Sequence, residues 1–354
     1  MFAAVAIAAA LQQSPASEPF DAAARIAEAI AVVRPVAYRS AEVDWTAIEA
    51  DMRARSVGAR DTVDMLPAYA ALMHGLGDGH SFIQPTEEAG EGWRERHGDR
   101  RMLPDIPPRP RPTSTFMGRR GVTQRSVPVN AVRTVEAVVT PAVMGAGEKA
   151  RTYASDLFRA LADAGPTTCG YILDLRGNTG GNVWPMLTGL SPLLGDGPAG
   201  RSADATGAVE TYAELREGSA VILAEEGRGQ VLMSAAGWRP VPRLAEVPVA
   251  LLIDDGVFSS GEGVAVAFKG RPLTRFFGQR SGGLASANNG FPLSDGTNLV
   301  VTVAMMLDRN DVAYPHGVDP DVAVGAGEGD PSDPEDAVVE AARDWLAQQT
   351  ACAI

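Results

Sequence analysis

Lysine and cysteine are the two residue types that this 354-residue chain has little of. Arginine supplies nearly all of the 31 basic side chains, and the lysines are only Lys149 and Lys269. The two cysteines, Cys169 and Cys352, do not have the paired spacing of a zinc ribbon or of a redox C-x-x-C motif. A disulfide between them would require an oxidising compartment. The sequence alone does not favour such a disulfide.

Basic charge is also scarce relative to acidic charge. With 44 acidic residues the formal net charge is −13 and the isoelectric point is near 4.8. This balance excludes nucleic acids and anionic membrane surfaces as expected partners. Hydrophobic residues make up 45% of the chain, as in globular proteins with a substantial core.

The apolar run at residues 2–11 is too short to cross a bilayer and has the length of a signal-peptide core. Small residues follow it, although the basic residues that usually precede such a core are missing. We therefore expect residues 1–19 to be a signal peptide. The protein would be exported, to the periplasm or outside the cell, and its mature chain would have no membrane span.

A serine follows a buried strand in a stretch with strong local signals. Residues 249–253 form a short apolar run that ends in Asp-Asp-Gly, and Ser259-Ser260-Gly261-Glu262 then precedes a helix-compatible segment. Unpaired N–H groups at the start of a helix suit a developing negative charge. Ser259 also fits an ordinary capping box with Glu262, so the motif alone leaves a helix cap as the alternative.

A glycine-rich turn follows a second predicted strand. We call residues 174–181, with the sequence DLRGNTGG, the glycine turn. Its glycines allow positive φ and close approach of the backbone to a ligand. The turn lacks both the G-x-G-x-x-G order of a dinucleotide loop and the Lys-Ser/Thr of a phosphate loop, and taken alone it indicates little.

Together the two stretches resemble the tail-specific (carboxy-terminal processing) and tricorn-type serine peptidases. The resemblance covers residues 60–325 and includes the sequence GVDPD at 317–321, similar to that family's closing motif. It implies an α/β fold, with a crotonase-like ββα core and a mixed sheet, preceded by an N-terminal helical bundle. It also implies that Ser259, three residues before Glu262, is the nucleophile.

The chain departs from the tail-specific pattern at the base. Those enzymes have a lysine about 25 residues after the serine, where this chain has Leu284. Lys269 lies about 15 Å along the expected helix from Ser259, too far for proton transfer. Tricorn-type members instead take a histidine from an upstream helical region, and the resemblance assigns that role to His80. The other histidines are expected to have no catalytic role: they are His74, His97 and His316.

The resemblance also implies the remaining site residues. The N–H of Ser260 and that of Gly180 or Gly181 would form the oxyanion hole. The serine and the glutamate that accompany the histidine in tricorn relatives are replaced here, by Gly79 and Tyr314. Asp78 is the candidate orienting acid, and a bare Ser–His dyad is the alternative.

We predict five segments along the chain. They are a signal peptide at 1–19, a helical bundle at 20–85, a proline-rich loop or connector at 86–130, the catalytic core at 131–325, and an acidic linker with a C-terminal helix at 326–354. The connector is too short and too rich in proline for the peptide-binding PDZ module of tail-specific relatives.

The predicted function is cleavage of peptide bonds through a Ser259 acyl-enzyme, with a peptide or an unfolded protein as substrate. No metal or organic cofactor is implied, and the sequence does not indicate an oligomeric state. Two alternatives stay open. One is a serine hydrolase of esters or small metabolites, and the other is a non-catalytic carrier of hydrophobic ligands, a class that resembles the same family.

Overall fold

Residues 20–223, 229–325 and 336–353 are described by a computed structural model, in which they form eight α-helices and thirteen strands. This confirms the predicted α/β class. The helices are α1 Ala22–Val33, α2 Trp45–Arg55, α3 Thr62–Gly75, α4 Glu87–His97, α5 Glu148–Ala162, α6 Val183–Leu194, α7 Ser260–Phe268 and α8 Ala337–Ala347. The strands are β1 Phe82–Gln84, β2 Thr123–Pro128, β3 Thr134–Val139, β4 Thr168–Asp174, β5 Gly197–Asp204, β6 Val209–Arg216, β7 Ser219–Ile222, β8 Gln230–Ser234, β9 Val249–Ile253, β10 Thr274–Gly278, β11 Ser286–Pro292, β12 Asn298–Leu307 and β13 Val322–Ala323.

Six strands form the first sheet, in the order β13-β10-β9-β4-β3-β2. All neighbours are parallel except β2 and β3. Every residue of β9 is buried, as is typical of a parallel strand covered on both faces. Because β4 and β9 are parallel neighbours, their carboxyl ends lie side by side and the turns that follow them meet at one edge of the sheet.

Helices cover both faces of this sheet. Tyr171, Leu173 and Leu251 face the core that α5, α6 and α7 share, whereas Ile172 and Leu252 face α8. This alternation follows from the two-residue period of a strand. The result is a helix–sheet–helix arrangement around β4 and β9.

A disulfide joins Cys169 in β4 to Cys352, just after α8, with an S–S distance of 1.97 Å and Cα atoms 5.1 Å apart. The sequence alone did not favour this pair, whose members are 183 positions apart. The fold brings them together because β4 and α8 belong to one apolar cluster.

The second sheet contains seven strands and is antiparallel. Its order is β1-β12-β5-β6-β7-β8, and β11 also pairs with β12. The long strand β12 therefore lies between β1, which follows α3, and the strands β5 to β8.

The first four helices share an apolar cluster of their own with residues from the second sheet. Tyr69 of α3 is fully buried there, and so are Leu299 and Val301 of β12. His80 lies between the end of α3 and the start of β1, whose Phe82 pairs with Val300 of β12. The position of His80 is thus set by a helix on one side and by a strand pairing on the other.

The connector predicted at residues 86–130 contains two regular elements that the sequence analysis did not predict, helix α4 and strand β2. Helix α4 is polar and buries little more than Ala89 and Trp93. Thr86 caps it by accepting a hydrogen bond from the N–H of Ala89 at 3.1 Å. Acidic residues in its first turn and basic residues in its last turn complement the helix dipole.

Two predicted segments lie partly or wholly outside the described residues: the signal peptide at 1–19 and the acidic linker that begins at 326. Among the helices in the described ranges, none is long and apolar enough to cross a membrane.

Candidate active site

Ser259 occupies the turn between β9 and α7 in an unusual backbone conformation. Its φ is +51° and its ψ is −121°, a region that residues other than glycine rarely adopt and that is often found at functional sites. It holds the N-cap position of α7, yet its side chain makes no capping hydrogen bond. The hydroxyl is therefore not used as a helix cap, which argues against the capping alternative.

The carboxylate of Glu262 binds the turn that stands where tail-specific enzymes have their lysine. It accepts hydrogen bonds from Ser281 Oγ at 2.6 Å, from Gly283 N at 2.8 Å and from Leu284 N at 2.5 Å. Glu262 is fully buried, and this burial raises the pKa of its carboxyl although the hydrogen bonds oppose the rise. Residues 281–284 are thereby fixed to the helix that begins after Ser259.

The structure brings His80 against Ser259, although 179 positions separate them. The distance from His80 Nε2 to Ser259 Oγ is 2.9 Å, within hydrogen-bond range. Both side chains are partly buried. The pair has the geometry that a general base and a nucleophile require.

A second serine contacts the other nitrogen of the imidazole. His80 Nδ1 lies 2.7 Å from the Oγ of Ser286, a residue that is 5% exposed at the start of β11. If Nε2 accepts a proton from Ser259, Nδ1 carries the hydrogen and donates it to Ser286. Sequence reasoning missed Ser286, because nothing distinguishes a serine at the start of a strand from any other.

Asp78, the candidate orienting acid, binds the backbone near the histidine. Its Oδ1 accepts from the N–H of His80 at 2.8 Å and from that of Ser81 at 2.7 Å, and its Oδ2 accepts from Ser81 Oγ at 2.6 Å. The carboxylate thus orders the turn that presents His80, while the ring contact comes from Ser286. Asn288 Nδ2 adds a bond to the carbonyl of His80 at 3.0 Å.

The surroundings of His80 keep its imidazole neutral. Burial is the largest cause and lowers its pKa to about 4. The negative charge of Asp78 acts in the opposite direction, and the positive charge of Arg109 lowers the pKa further. A neutral imidazole at neutral pH is the form that accepts a proton.

Of the two glycines that end the glycine turn, Gly180 lies directly against Ser259, whereas Gly181 lies against Val143. Gly180 has φ +99° and Gly181 has φ +106°, and a Cβ on Gly180 would lie 2.8 Å from Ser259 Cβ. The N–H of Gly180 donates to Asn178 Oδ1 at 2.9 Å. The N–H groups of Gly181 and Ser260 have no acceptor in the described part of the chain. Ser260 Oγ donates to the carbonyl of Gly181 at 2.7 Å and so joins the two.

Buried charges hold the glycine turn in place. Arg176 is 2% exposed and binds Asp174 at 2.9 Å and Asp336, the N-cap of α8, at 2.8 Å. Arg119 also binds Asp174, at 3.1 Å. Burial raises the pKa of Asp174, but the charges of Arg176 and Arg119 outweigh it and hold this pKa below its ordinary value.

Lys269 lies at the far end of α7 from Ser259. Its Nζ donates to the carbonyl of Asp319 at 3.1 Å, lies 3.7 Å from Asp321 Oδ1 and sits 3.9 Å from the ring centroid of Phe276. These contacts and its place at the C-cap of α7 keep it away from Ser259.

The other histidines have ordinary surroundings. The His97 ring stacks on Trp93 with centroids 4.1 Å apart, and His74 is exposed. The backbone of His316 borders the turn at Gly283. Across the described residues, no group of three or more His, Cys, Asp or Glu side chains has the arrangement of a metal site.

A family model described as peptidase family S41 matches residues 141–324, just over half of the chain. The protein therefore belongs to peptidase family S41. The match includes the glycine turn, Ser259 and the closing motif that carried the resemblance.

One curated relative is the nisin-resistance protein of Lactococcus lactis subsp. lactis, which is 36% identical over 154 residues. The alignment covers 43% of this chain and 45% of that protein, so it spans less than half of the relative's length.

Two solved structures share the fold over nearly the whole chain. A lipoprotein from Streptococcus agalactiae has a TM-score of 0.65 at 18% identity, with 94% of this chain and 99% of that chain covered. A Parabacteroides merdae protein assigned to the peptidases has a TM-score of 0.54 at 16% identity, with 94% and 98% covered. At these identities the likeness concerns the fold alone.

Proposed function

We propose that the protein is a serine peptidase in which Ser259 is the nucleophile and His80 is the general base. The observation that carries this proposal is the 2.9 Å contact between His80 Nε2 and Ser259 Oγ, at a serine whose hydroxyl is not used as a helix cap. Membership of a peptidase family supports a peptide bond as the target.

In the first step, Ser259 Oγ attacks the carbonyl carbon of the scissile bond and its proton passes to His80 Nε2. The oxygen of the tetrahedral intermediate then carries a negative charge. We propose that the N–H groups of Ser260 and Gly181 bind this oxygen, because the N–H of Gly180 already has Asn178 as its acceptor.

In the second step, the C–N bond breaks and His80 Nε2 returns its proton to the leaving amine. Water then attacks the acyl carbon and passes a proton to His80 Nε2, which returns it to Ser259 Oγ as the ester bond breaks and the acid is released. We assign to Ser286 the role of a positioning residue: its oxygen accepts the Nδ1 hydrogen of His80 and so presents Nε2 to the nucleophile. Asp78 acts through the main chain of the same turn.

We propose export as the location of the protein. The apolar run at residues 2–11 supports this, and so does the disulfide between Cys169 and Cys352, which requires an oxidising compartment. We propose peptides or unfolded proteins as substrates. Nisin is one candidate to test, because a partial relative is named for resistance to it.

A serine-reactive fluorophosphonate probe tests the mechanism. We expect one adduct, located on Ser259 by mass spectrometry, and we expect Ser260→Ala to be labelled at a rate close to that of the parent protein. An adduct on Ser260 would overturn the assignment of the nucleophile. Absence of labelling would favour the non-catalytic carrier instead.

Profiling on matched peptide and ester libraries distinguishes a peptidase from a hydrolase of esters or small metabolites. Esters are intrinsically easier to cleave, so cleavage of esters alone does not identify a peptidase. We expect measurable cleavage of peptides as well as of esters. Turnover of esters alone would favour a hydrolase of small metabolites.

A further inference from the structure

Arg109 belongs to the proline-rich segment at residues 104–112 and lies beside the candidate catalytic pair. Its Nη2 donates to the carbonyl of Gly282 at 2.6 Å. Its guanidinium carbon is 5.3 Å from the ring centroid of Phe258, the residue before Ser259. These two contacts hold the guanidinium beside the residues that flank Ser259.

The charge of Arg109 has no carboxylate partner within 4 Å among the described residues, and its side chain is exposed. A guanidinium has five N–H donors, and the contact to Gly282 uses one of them. Many other arginines of this chain, whose net charge is −13, are paired with acidic side chains. An unpaired guanidinium at the site is a ready binding group for an anion.

The geometry also indicates which part of a substrate Arg109 would contact. His80 must protonate the leaving amine, so the leaving fragment lies on the side of His80. Arg109 is on that side, since a Cβ on Gly79 would lie 3.9 Å from its Nη1. The positive charge of Arg109 also contributes to lowering the pKa of His80, as expected of a neighbour.

We infer that Arg109 is a specificity-determining residue that binds a carboxylate on the leaving fragment of the substrate. This inference rests on the proposed peptidase function. The planar fork of a guanidinium matches a carboxylate in two parallel hydrogen bonds. The neighbouring prolines at 108 and 110 restrict the loop backbone, so less freedom is lost on binding.

The carboxylate can come from two sources, the C-terminus of the substrate or an acidic side chain just after the scissile bond. Three fluorescent peptides of otherwise equal sequence distinguish them: a free acid with glutamine in the leaving fragment, its C-terminal amide, and the amide with glutamate in place of that glutamine. Placing the glutamate or the free end at each successive position of the leaving fragment covers the unknown register.

Binding is measured by fluorescence anisotropy with Ser259→Ala, which cannot turn the peptides over. We expect at least one carboxylate-bearing peptide to bind about tenfold more tightly than the neutral amide, as for a charge-assisted pair at a partly exposed site. Adding Arg109→Ala should reduce this ratio to about one, and adding Arg109→Lys should retain part of it. Arg111→Ala, an exposed arginine two positions along the same segment, is the matched control and should leave the ratio unchanged.

Equal binding of all three peptides to the Ser259→Ala protein overturns the inference, and so does a ratio that persists when Arg109 is replaced. A loss of affinity for the acid and the amide alike would show that Arg109 only supports the loop at Gly282. Fluorophosphonate labelling of Arg109→Ala, with Ser259 intact, tests the proposed function separately, because that probe does not depend on a substrate carboxylate. Labelled Ser259 without peptide discrimination removes the inference alone, whereas discrimination without labelling removes the peptidase.

Discussion

Ser259 and His80 come from regions of the molecule that are stabilised in different ways. Around Ser259, buried ionic and polar groups fix the backbone: Arg176 bridges two carboxylates, and Glu262 binds the 281–284 turn. Around His80, apolar packing of the N-terminal helices against β12 sets the position, with one short turn ordered by Asp78.

The difference has a physical consequence for the site. The serine region is assembled from turns at the ends of adjacent parallel strands, so its geometry is built into one sheet. The histidine reaches it only because β1 pairs with β12 and α3 packs on the same strand. The proposed oxyanion donors and nucleophile are therefore preorganised together, while the position of the proposed base depends on how the N-terminal helices pack on β12.

The largest expected effect comes from breaking the buried charges of the serine region. Asp336→Asn keeps a good helix cap for α8 but removes the charge that binds Arg176. We expect the free energy of unfolding to fall by about 3 kcal/mol, as for loss of one partner of a buried ion pair. Urea unfolding measures this change.

The matched control is Asp319→Asn, which breaks the exposed pair with Arg280. It should change the free energy of unfolding by less than about 0.5 kcal/mol. Equal effects of the two variants would show that the serine region does not depend on its buried charges.

Replacing His80, the proposed base, tests the histidine region. His80→Ala should lower kcat/KM by about a hundredfold or more, as expected for loss of a general base, with little change in thermal stability. His316→Ala should change kcat/KM by less than a few-fold, because His316 only borders the 281–284 turn. A larger loss in His316→Ala than in His80→Ala would reverse the assignment of the base.

Ser286 connects the two regions, and its removal should have a smaller effect. Ser286→Ala leaves the Nδ1 hydrogen of His80 without its acceptor, so we expect kcat to fall about tenfold with KM nearly unchanged. Ser286→Thr keeps a hydroxyl and should recover part of kcat. Asn289→Ala, an exposed position in the same strand, is the control. A fall in stability without a change in kcat would limit Ser286 to a structural role.

The smallest expected effect is that of mild acid. Because burial lowers the pKa of His80 to about 4, the imidazole stays neutral down to about pH 5. Between pH 7.5 and pH 5.5, kcat/KM should therefore change less than about twofold, whereas a histidine with its ordinary pKa near 6.5 would give roughly a tenfold fall. The pH profile of kcat/KM measures this, and an acid limb near pH 6.5 would contradict the buried state of the ring.

The lowered pKa of His80 also makes the free energy of unfolding depend on pH. Between pH 6.5 and pH 4 the unfolded chain binds a proton at His80 that the native state does not, so the contribution of His80 to the free energy of unfolding falls as the pH falls through this window. His80→Ala should remove that part of the pH dependence of unfolding.

The serine region was predictable from the sequence because its signals are local. The apolar run of β9, the turn and the start of α7 follow one another within twenty residues, and the glycine turn has the same build after β4. His80 was identified through the family resemblance rather than from its own surroundings. Its role as base is a proposal that the measurements above test.

Other features depended on tertiary packing and could not be derived from sequence order. Ser286 reaches His80 across 206 positions, and Cys169 reaches Cys352 only because α8 packs on β4. Helix α4 has no apolar stripe, so periodicity did not reveal it. Its Thr86 cap and the charges in its first and last turns were the available signals.

The disulfide divides the chain into a covalent ring and a tail in front of it. Ser259 lies within the ring closed by Cys169 and Cys352, and His80 lies in the tail. A protease that cuts once between residues 170 and 351 leaves two pieces that migrate as one chain until a reductant is added. A cut between residues 81 and 168 instead releases the piece that carries His80 as a separate chain, whether or not reductant is present. Gels run with and without reductant therefore report which side of Cys169 was cut, and hence whether the two residues of the site are still covalently connected.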